Sequence, residues 1–151
     1  MTDYLLDTSF ISAFAPDRPQ LTLGVRKWIA EQRELGSWQL SSIVVLELEN
    51  GIAKLRLRGA HAKAGRISVW FERLLNEFDQ RILPVDVAIA REAGRLEEAV
   101  VAKGFSPGLA DVLIAATARL NGLAVLTANI RHFAMLDVPH MNPFAEIGPE
   151  A

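Results

Sequence analysis

Short apolar runs alternate along the chain with longer segments of helical periodicity, and this alternation limits the possible folds more than any other feature. The runs at residues 4–6, 82–85 and 124–126 are predicted to be strands, the first of them buried. Short strands separated by helices favour an α/β fold whose central sheet is mainly parallel. In such a sheet, sites form beyond the carboxyl ends of the strands, where Asp7 and Asn129 are expected to lie.

Five segments have the apolar periodicity of helices: residues 21–35, 42–57, 63–78, 87–103 and 107–120. Ser41, Asp86 and Ser106 precede three of them and are predicted N-caps. Gly36 and Gly122 follow two of them and are predicted to end those helices. Because no repeat or long linker interrupts the pattern, residues 1–151 are predicted to form a single domain.

The composition restricts the kind of metal site that the chain can build. With no cysteine among its 151 residues, disulfides and thiolate zinc sites are excluded. The three histidines, His61, His132 and His140, do not lie one helical turn apart, which argues against a histidine-rich zinc site. A metal would therefore be held mainly by carboxylate oxygens, and this donor set suits Mg²⁺ or Mn²⁺.

The charge and hydropathy of the chain limit the kinds of partner that it can have. The net charge of −2 predicts that any binding of nucleic acid comes from a local patch. We find no signal peptide and no apolar run near the roughly 20 residues of a membrane span, so a cytoplasmic protein without a membrane segment is expected. The mean hydropathy of +0.19 indicates either apolar surface kept for a partner or a generous core.

Three acidic residues, Asp7, Glu47 and Asp111, stand in apolar surroundings. A carboxylate on an apolar face is costly unless another group compensates its charge. Each acid has a local explanation, since it can cap a helix, favour a helix N-terminus or pair with an arginine. If the three converge, they repel one another unless a cation neutralises them.

Four segments, in matching order and spacing, resemble the motifs of the PIN-domain family. They are Leu6-Asp7-Thr8-Ser9, Glu47-Leu48-Glu49-Asn50-Gly51, Ala110-Asp111-Val112-Leu113-Ile114-Ala115-Ala116, and Thr127-Ala128-Asn129 followed by His132-Phe133. Within the family the chain is most similar to VapC-type toxins. Residues 81–86 and the closing Asn142-Pro143-Phe144 resemble the FitB-like branch in particular.

This resemblance implies a PIN-like α/β/α fold, RNA cleavage that depends on Mg²⁺ or Mn²⁺, a homodimer, and inhibition by a cognate antitoxin encoded alongside. By position, Asp7, Glu47 and Asp111 are the implied metal-binding and catalytic carboxylates, and Asn129 occupies a fourth catalytic position. Metal-bound carboxylates suit phosphodiester hydrolysis, because the cation activates water and offsets the growing negative charge.

The fourth motif departs from the family pattern. Asn129 stands where other members have an aspartate, and His132 stands where others have a further acid. An amide oxygen can bind Mg²⁺ or its water but adds no charge. The number of metal ions that the site binds, one or two, therefore stays open. The hydroxyls of Ser9 and Thr127 are candidates to hold metal waters, although they can equally cap a helix or close a turn.

Residues 51–71 contain no acid and directly follow Glu47, so they are a candidate surface for the RNA backbone. Lys54, Arg56 and Arg58 are the predicted contacts there, and Arg131, close to Asn129, is another candidate for a phosphate. The same segment could instead be a solvated helix pair or the face that meets the antitoxin. His132, Asp86 and the tryptophans are expected to have structural roles.

Two other functions are compared with the ribonuclease. A phosphotransfer or receiver-type domain needs two adjacent aspartates after the first strand, whereas here Thr8 and Ser9 follow Asp7. A non-catalytic PIN-like module that binds RNA or a partner stays open, because Asn129 replaces an acid. An assay for metal-dependent nuclease activity separates both from the ribonuclease.

Overall fold

A five-stranded parallel sheet forms the centre of the protein. The computed structural model describes residues 2–150, and the strand order in its sheet is β3-β2-β1-β4-β5. All four neighbouring pairs are parallel, which confirms the predicted α/β fold with a parallel sheet. The strands are β1 Tyr4–Leu6, β2 Trp38–Ser41, β3 Ile82–Leu83, β4 Ala124–Leu126 and β5 His140–Met141.

The helices lie between and after these strands. In the described part of the chain they are α1 Thr8–Ile11, α2 Leu23–Leu35, α3 Ser42–Leu57, α4 His61–Phe78, α5 Val87–Ala102, α6 Leu109–Asn121, α7 Ile130–Phe133 and α8 Pro143–Glu146. Short 3₁₀ turns cover Ser12–Phe14 and Asp79–Arg81. None of the helices within residues 2–150 combines the length and hydropathy required of a membrane span.

Three of the five strands coincide with the predicted runs, and two were not predicted. The third strand is shorter than expected because Pro84 lacks the N–H group that would continue the ladder. The missed strands are β2, which mixes polar and apolar residues, and β5, which has two residues in a tail rich in proline and glycine.

The capping predictions have mixed outcomes. Ser41 and Asp86 are N-caps, since their side chains accept hydrogen bonds from the Ile43 N–H at 3.2 Å and the Ile89 N–H at 2.9 Å. The predicted start of α6 at Ser106 is wrong. The chain stays non-helical through Gly108, which is the N-cap without a capping side chain, so that Asp111 falls in the first turn.

The two glycines predicted to end helices do so for different reasons. Gly122 adopts a left-handed conformation, with φ of 65°, that favours glycine. Gly36 follows α2 in an extended conformation instead. A Cβ atom at Gly36 would collide with the backbone carbonyl oxygen of Thr2, so close packing of the chain requires glycine there.

An aromatic cluster packs against the first residues of β1 and β2 and extends to Phe144 near the C-terminal end of the chain. Phe10, which is fully buried, stacks on Phe144 with ring centroids 5.1 Å apart. Trp38 is buried against Phe10 and Tyr4, and Trp28 is half-buried beside it. The expectation of structural tryptophans is therefore confirmed for these two.

The strand order places a crevice at the centre of the sheet. The chain runs from β1 outward to β2 and β3, then returns to form β4 on the other side of β1. Connections from β1 and β4 therefore diverge at their carboxyl ends, which is where open α/β sheets bind ligands. The backbone N–H of Asp7 bonds to the Leu126 carbonyl oxygen at 2.9 Å and holds these two strand ends together.

Candidate active site

An acidic cleft of about 680 Å³ lies at the carboxyl ends of β1 and β4. It brings together the four predicted catalytic residues, Asp7, Glu47, Asp111 and Asn129. The remaining lining residues are Thr8, Ser9, Ser12, Ala13, Arg18, Gly108, Leu109, Ala110, Ala128, His132 and Phe144. Residues far apart in the sequence thus share one cavity, which we call the acidic cleft.

Each carboxylate reaches the cleft from the start of a helix. Asp7 follows β1 and is the N-cap of α1. Glu47 lies in the second turn of α3, whose N-terminus Ser41 fixes at the end of β2. Asp111 lies in the first turn of α6. The partial positive charge of helix N-termini favours carboxylates in this region of the molecule.

Asp7 is almost fully buried, with 4% of its surface exposed, and its charge is compensated by hydrogen bonds. Its Oδ1 accepts from the Thr8 N–H at 2.8 Å. Its Oδ2 accepts from the hydroxyls of Ser9 at 2.7 Å and Thr127 at 2.8 Å. Both hydroxyl protons are therefore directed to the same carboxylate oxygen.

The two hydroxyls also organise the loop after β4. Their oxygens lie 3.1 Å apart, and each accepts a backbone hydrogen bond at 2.9 Å, from Ala128 N–H to Ser9 and from Asn129 N–H to Thr127. Ser9 and Thr127 thus connect Asp7 to the loop that carries Asn129. This arrangement supports a structural role for the two hydroxyls beside any role toward a metal.

Glu47 is held by a single contact that leaves one of its oxygens free. The Thr8 hydroxyl donates to Oε1 of Glu47 at 2.7 Å. Within residues 2–150, no hydrogen bond or ion pair reaches Oε2 of Glu47. The Thr8 side chain therefore orients the glutamate without saturating its capacity to bind a ligand.

Asp111 pairs with His132, with 3.0 Å between Oδ2 of the aspartate and Nδ1 of the imidazole. Partial burial raises the pKa of Asp111, and the negative charges of Asp7 and Glu47 raise it further. His132 opposes this rise through its charge and its hydrogen bond. The contact places His132 beside the cleft, where it holds Asp111, and the expectation of a structural role stays a prediction.

The donor set fits a hard divalent cation in its chemistry, although the carboxylates are not gathered into a tight cluster. Within residues 2–150, no three histidine, aspartate or glutamate side chains lie close enough to hold a metal ion as they stand. The groups that face the cleft are carboxylate, hydroxyl and amide oxygens, which Mg²⁺ and Mn²⁺ prefer. The effect of Asp7 and Glu47 on the pKa of Asp111 indicates a site of concentrated negative charge.

The predicted RNA-binding residues lie outside this cavity. Lys54 and Arg56 are exposed on α3, and Arg58 is exposed directly after it. None of the three lines the acidic cleft, and neither does Arg131. Arg18, which the sequence analysis did not single out, does line it. No recognisable motif surrounds Arg18, and the nearest signal was the turn that Pro16-Asp17 predicts just before it.

The fold and the site define an α/β domain with an acidic cleft at the switch point of a parallel sheet. Residues 4–138 match the model of the PIN domain, and the chain belongs to the PIN-domain family.

Known proteins of this family are similar over most of the chain. Toxin FitB of Neisseria gonorrhoeae is 36% identical over 144 residues, which are 93% of this chain and 97% of that protein. Ribonuclease VapC10 of Mycobacterium tuberculosis is 33% identical over 115 residues, covering 76% of this chain and 77% of that protein. The crystal structure of FitAcB from Neisseria gonorrhoeae superposes with a TM-score of 0.75 at 34% identity, covering 94% and 99% of the two chains.

Proposed function

We propose that this protein is a metal-dependent endoribonuclease of the VapC type and the toxin of a type II toxin–antitoxin pair. The observation that carries the proposal is the acidic cleft of a PIN domain, lined by Asp7, Glu47 and Asp111. The similarity to a toxin, FitB, and to a ribonuclease, VapC10, supports both parts of the proposal.

Asp7, Glu47 and Asp111 are the proposed ligands of Mg²⁺ or Mn²⁺, and Asn129 contributes an amide oxygen at the cleft edge. When bound, the cation would activate a water molecule and supply positive charge that offsets the negative charge developing in the transition state. The Ser9 and Thr127 hydroxyls fix the orientation of Asp7. Thr8 does the same for Glu47, and His132 for Asp111.

The proposed partners are RNA, a cognate antitoxin and a second copy of the chain. Large apolar side chains are exposed at the surface and could be buried against such protein partners. Among them are Leu57 at 88%, Val87 at 76% and Leu109 at 65% exposure. The solved structure of FitAB from the same family is a complex bound to a DNA fragment. We place the activity in the cytoplasm, where RNA and an antitoxin encoded alongside are available.

The test is incubation of the pure protein with total RNA, with Mg²⁺ or with chelator. The parent protein should cut RNA only with the metal. Asp7→Asn and Glu47→Gln should cleave RNA more than about 100-fold more slowly than the parent. Glu49→Gln is the matched control, because Glu49 is exposed on the same helix and lies outside the cleft. Full activity of a folded Asp7→Asn protein would contradict the mechanism, and binding of RNA without any cleavage would favour the non-catalytic module.

A further inference from the structure

Arg18 lines both the acidic cleft and a neighbouring groove. This groove, of about 450 Å³, lies between α3, α4 and the loop before α2, and Lys63 and Trp70 of α4 contribute to its wall. We call it the α3–α4 groove. It shares four lining residues with the acidic cleft, namely Thr8, Ser12, Arg18 and Glu47. The two cavities are therefore neighbours, and Arg18 lines both.

The loop that carries Arg18 is anchored from α4. Asp17 has a φ of 67°, a left-handed conformation that is uncommon outside glycine. Its Oδ2 accepts hydrogen bonds from Arg66, at 3.1 Å from Nε and 2.7 Å from Nη2. Pro16 and Pro19 further restrict the backbone on either side. These contacts restrict the backbone of the loop from which the Arg18 side chain extends.

Among residues 2–150, the guanidinium of Arg18 has no partner. Arg18 is exposed, and it forms no ion pair with any other residue among residues 2–150. Glu47, which lines the same two cavities, takes its hydrogen bond from the Thr8 hydroxyl instead. The guanidinium is a planar set of N–H donors, and it lies next to a site lined by carboxylates. It is suited to donate hydrogen bonds to the phosphate of a diester.

We propose that Arg18 binds the RNA phosphate next to the one that is cut, where the strand passes from the acidic cleft into the α3–α4 groove. The assignment rests on the proposed ribonuclease function. An RNA chain that approaches three carboxylates needs a compensating positive group close by, because like charges repel. Arg18 is the cationic residue shared by the linings of both cavities, since Lys63 lines only the groove.

Steady-state cleavage of a labelled RNA oligonucleotide in Mg²⁺ tests this role. Arg18→Ala should raise KM about tenfold, with a smaller change in kcat, because the contact is made in both ground state and transition state. Arg18→Lys should be intermediate, since lysine keeps the charge and loses the fork of donors. Arg26→Ala is the matched control, as Arg26 is exposed on α2 and lines neither cavity.

Arg66→Ala tests the anchor. It should raise KM in the same direction as Arg18→Ala, while the double variant should be no worse than Arg18→Ala alone. Thermal melts of each variant establish that the protein remains folded.

RNA binding in chelator gives a readout independent of cleavage. Arg18→Ala should lower the slope of log Kd against log salt by about 0.7, the value for one phosphate contact on a single strand. A parent-like KM and salt slope in Arg18→Ala would overturn the proposal, even if the protein is a ribonuclease. A parent that binds RNA but does not cut it would refute the proposed function alone. Loss of antitoxin binding with unchanged KM would assign Arg18 to the protein partner instead.

Discussion

At the scale of single residues, Asp7 combines two roles that the sequence analysis treated as alternatives. It lines the acidic cleft as the family pattern implies, and it also caps α1 through the Thr8 N–H. The Ser9 and Thr127 hydroxyls complete its hydrogen bonding. A residue so fully compensated is held in place before any ligand arrives, which suits a metal ligand.

The same hydrogen bonds determine what Asp7→Asn does to stability. Relief of repulsion among three acids would by itself make this variant more stable. The structure gives the opposite expectation, because an amide nitrogen cannot accept the donors that Asp7 now satisfies. Asp7→Asn should unfold in chelator with a free energy lower by about 1–3 kcal/mol than the parent, and the difference should widen in Mg²⁺, which binds the folded site of the parent. Urea denaturation measures this, and a variant more stable than the parent in chelator would refute it.

His132 should control the ionisation of Asp111. Because the imidazole lies 3.0 Å from Asp111 and opposes the rise of its pKa, His132→Ala should raise that pKa further. The carboxyl carbon of Asp111, followed by NMR as a function of pH in chelator, reports the change. His61→Ala is the control, since His61 begins α4 outside the cleft. An unchanged or lower pKa in His132→Ala would mean that the contact does not form in solution.

At the scale of secondary structure, the predictions succeeded where one local signal dominates. Buried runs such as Tyr4–Leu6 and the side-chain cap of Asp86 are readable because the residues alone define them. The start of α6 was not readable, since Ser106 and Pro107 have the composition of a helix start but stay outside the helix. The two-residue strand β5 exists only because β4 offers it a pairing edge.

Within the site, the motifs predict which residues share the cleft, but they do not predict the contacts between those residues. Asp7, Glu47, Asp111 and Asn129 all line one cleft, as their motifs predicted. The pairing of His132 with Asp111 depends on how α7 packs near the start of α6, which no local pattern encodes. The position of Arg18 depends on an ion pair between residues 49 positions apart.

The basic residues in the last turn of α3 and at its C-cap give a prediction for this part of the chain. Lys54, Arg56 and Arg58 are exposed near the C-terminal end of the helix and form no ion pair within residues 2–150. Replacing all three with alanine should weaken RNA binding and flatten its salt dependence, with melting and metal dependence unchanged. Fluorescence anisotropy at several salt concentrations measures this. An unchanged slope would assign these residues to a solvated face or to the antitoxin.

At the scale of the whole molecule, the toxin assignment predicts an effect on growth. Expression of the protein alone should arrest bacterial growth, and co-expression of a small neighbouring gene that encodes its antitoxin should relieve the arrest. The motivation is the similarity to toxin FitB along 93% of the chain, together with exposed apolar side chains such as Leu57. Asp7→Asn, shown to be folded, is the matched control and should be harmless. High-level expression of folded parent protein without any effect would count against the toxin role.

The charge of the cleft should also be visible in the stability of the whole protein. Burial raises the pKa of Asp111 above its ordinary value of 3.8, and Asp7 and Glu47 add to the rise. A carboxyl whose pKa is raised by folding stabilises the protein fully below its unfolded pKa, and this stabilisation is lost as pH rises through the folded pKa. Glu92 has the opposite sign, because its hydrogen bond with Arg95 lowers its pKa. Its contribution is present at high pH and lost on acidification, so the pH profile of the parent mixes both effects.

Comparison of Asp111→Asn with the parent isolates the cleft from the rest of the molecule. In chelator the two proteins should differ least below pH 3.8, where Asp111 is protonated in both folded and unfolded parent. The variant should then gain in Tm relative to the parent as pH rises from there toward neutrality, because only the parent acquires a charge beside Asp7 and Glu47. Mg²⁺ at neutral pH should raise the Tm of the parent more than that of the variant, since it binds the folded site. Glu97→Gln, an exposed acid on α5, should show neither effect. A difference in Tm between Asp111→Asn and parent that stays constant with pH would mean that the acids of the cleft do not repel one another, and would remove the electrostatic reason for a cation there.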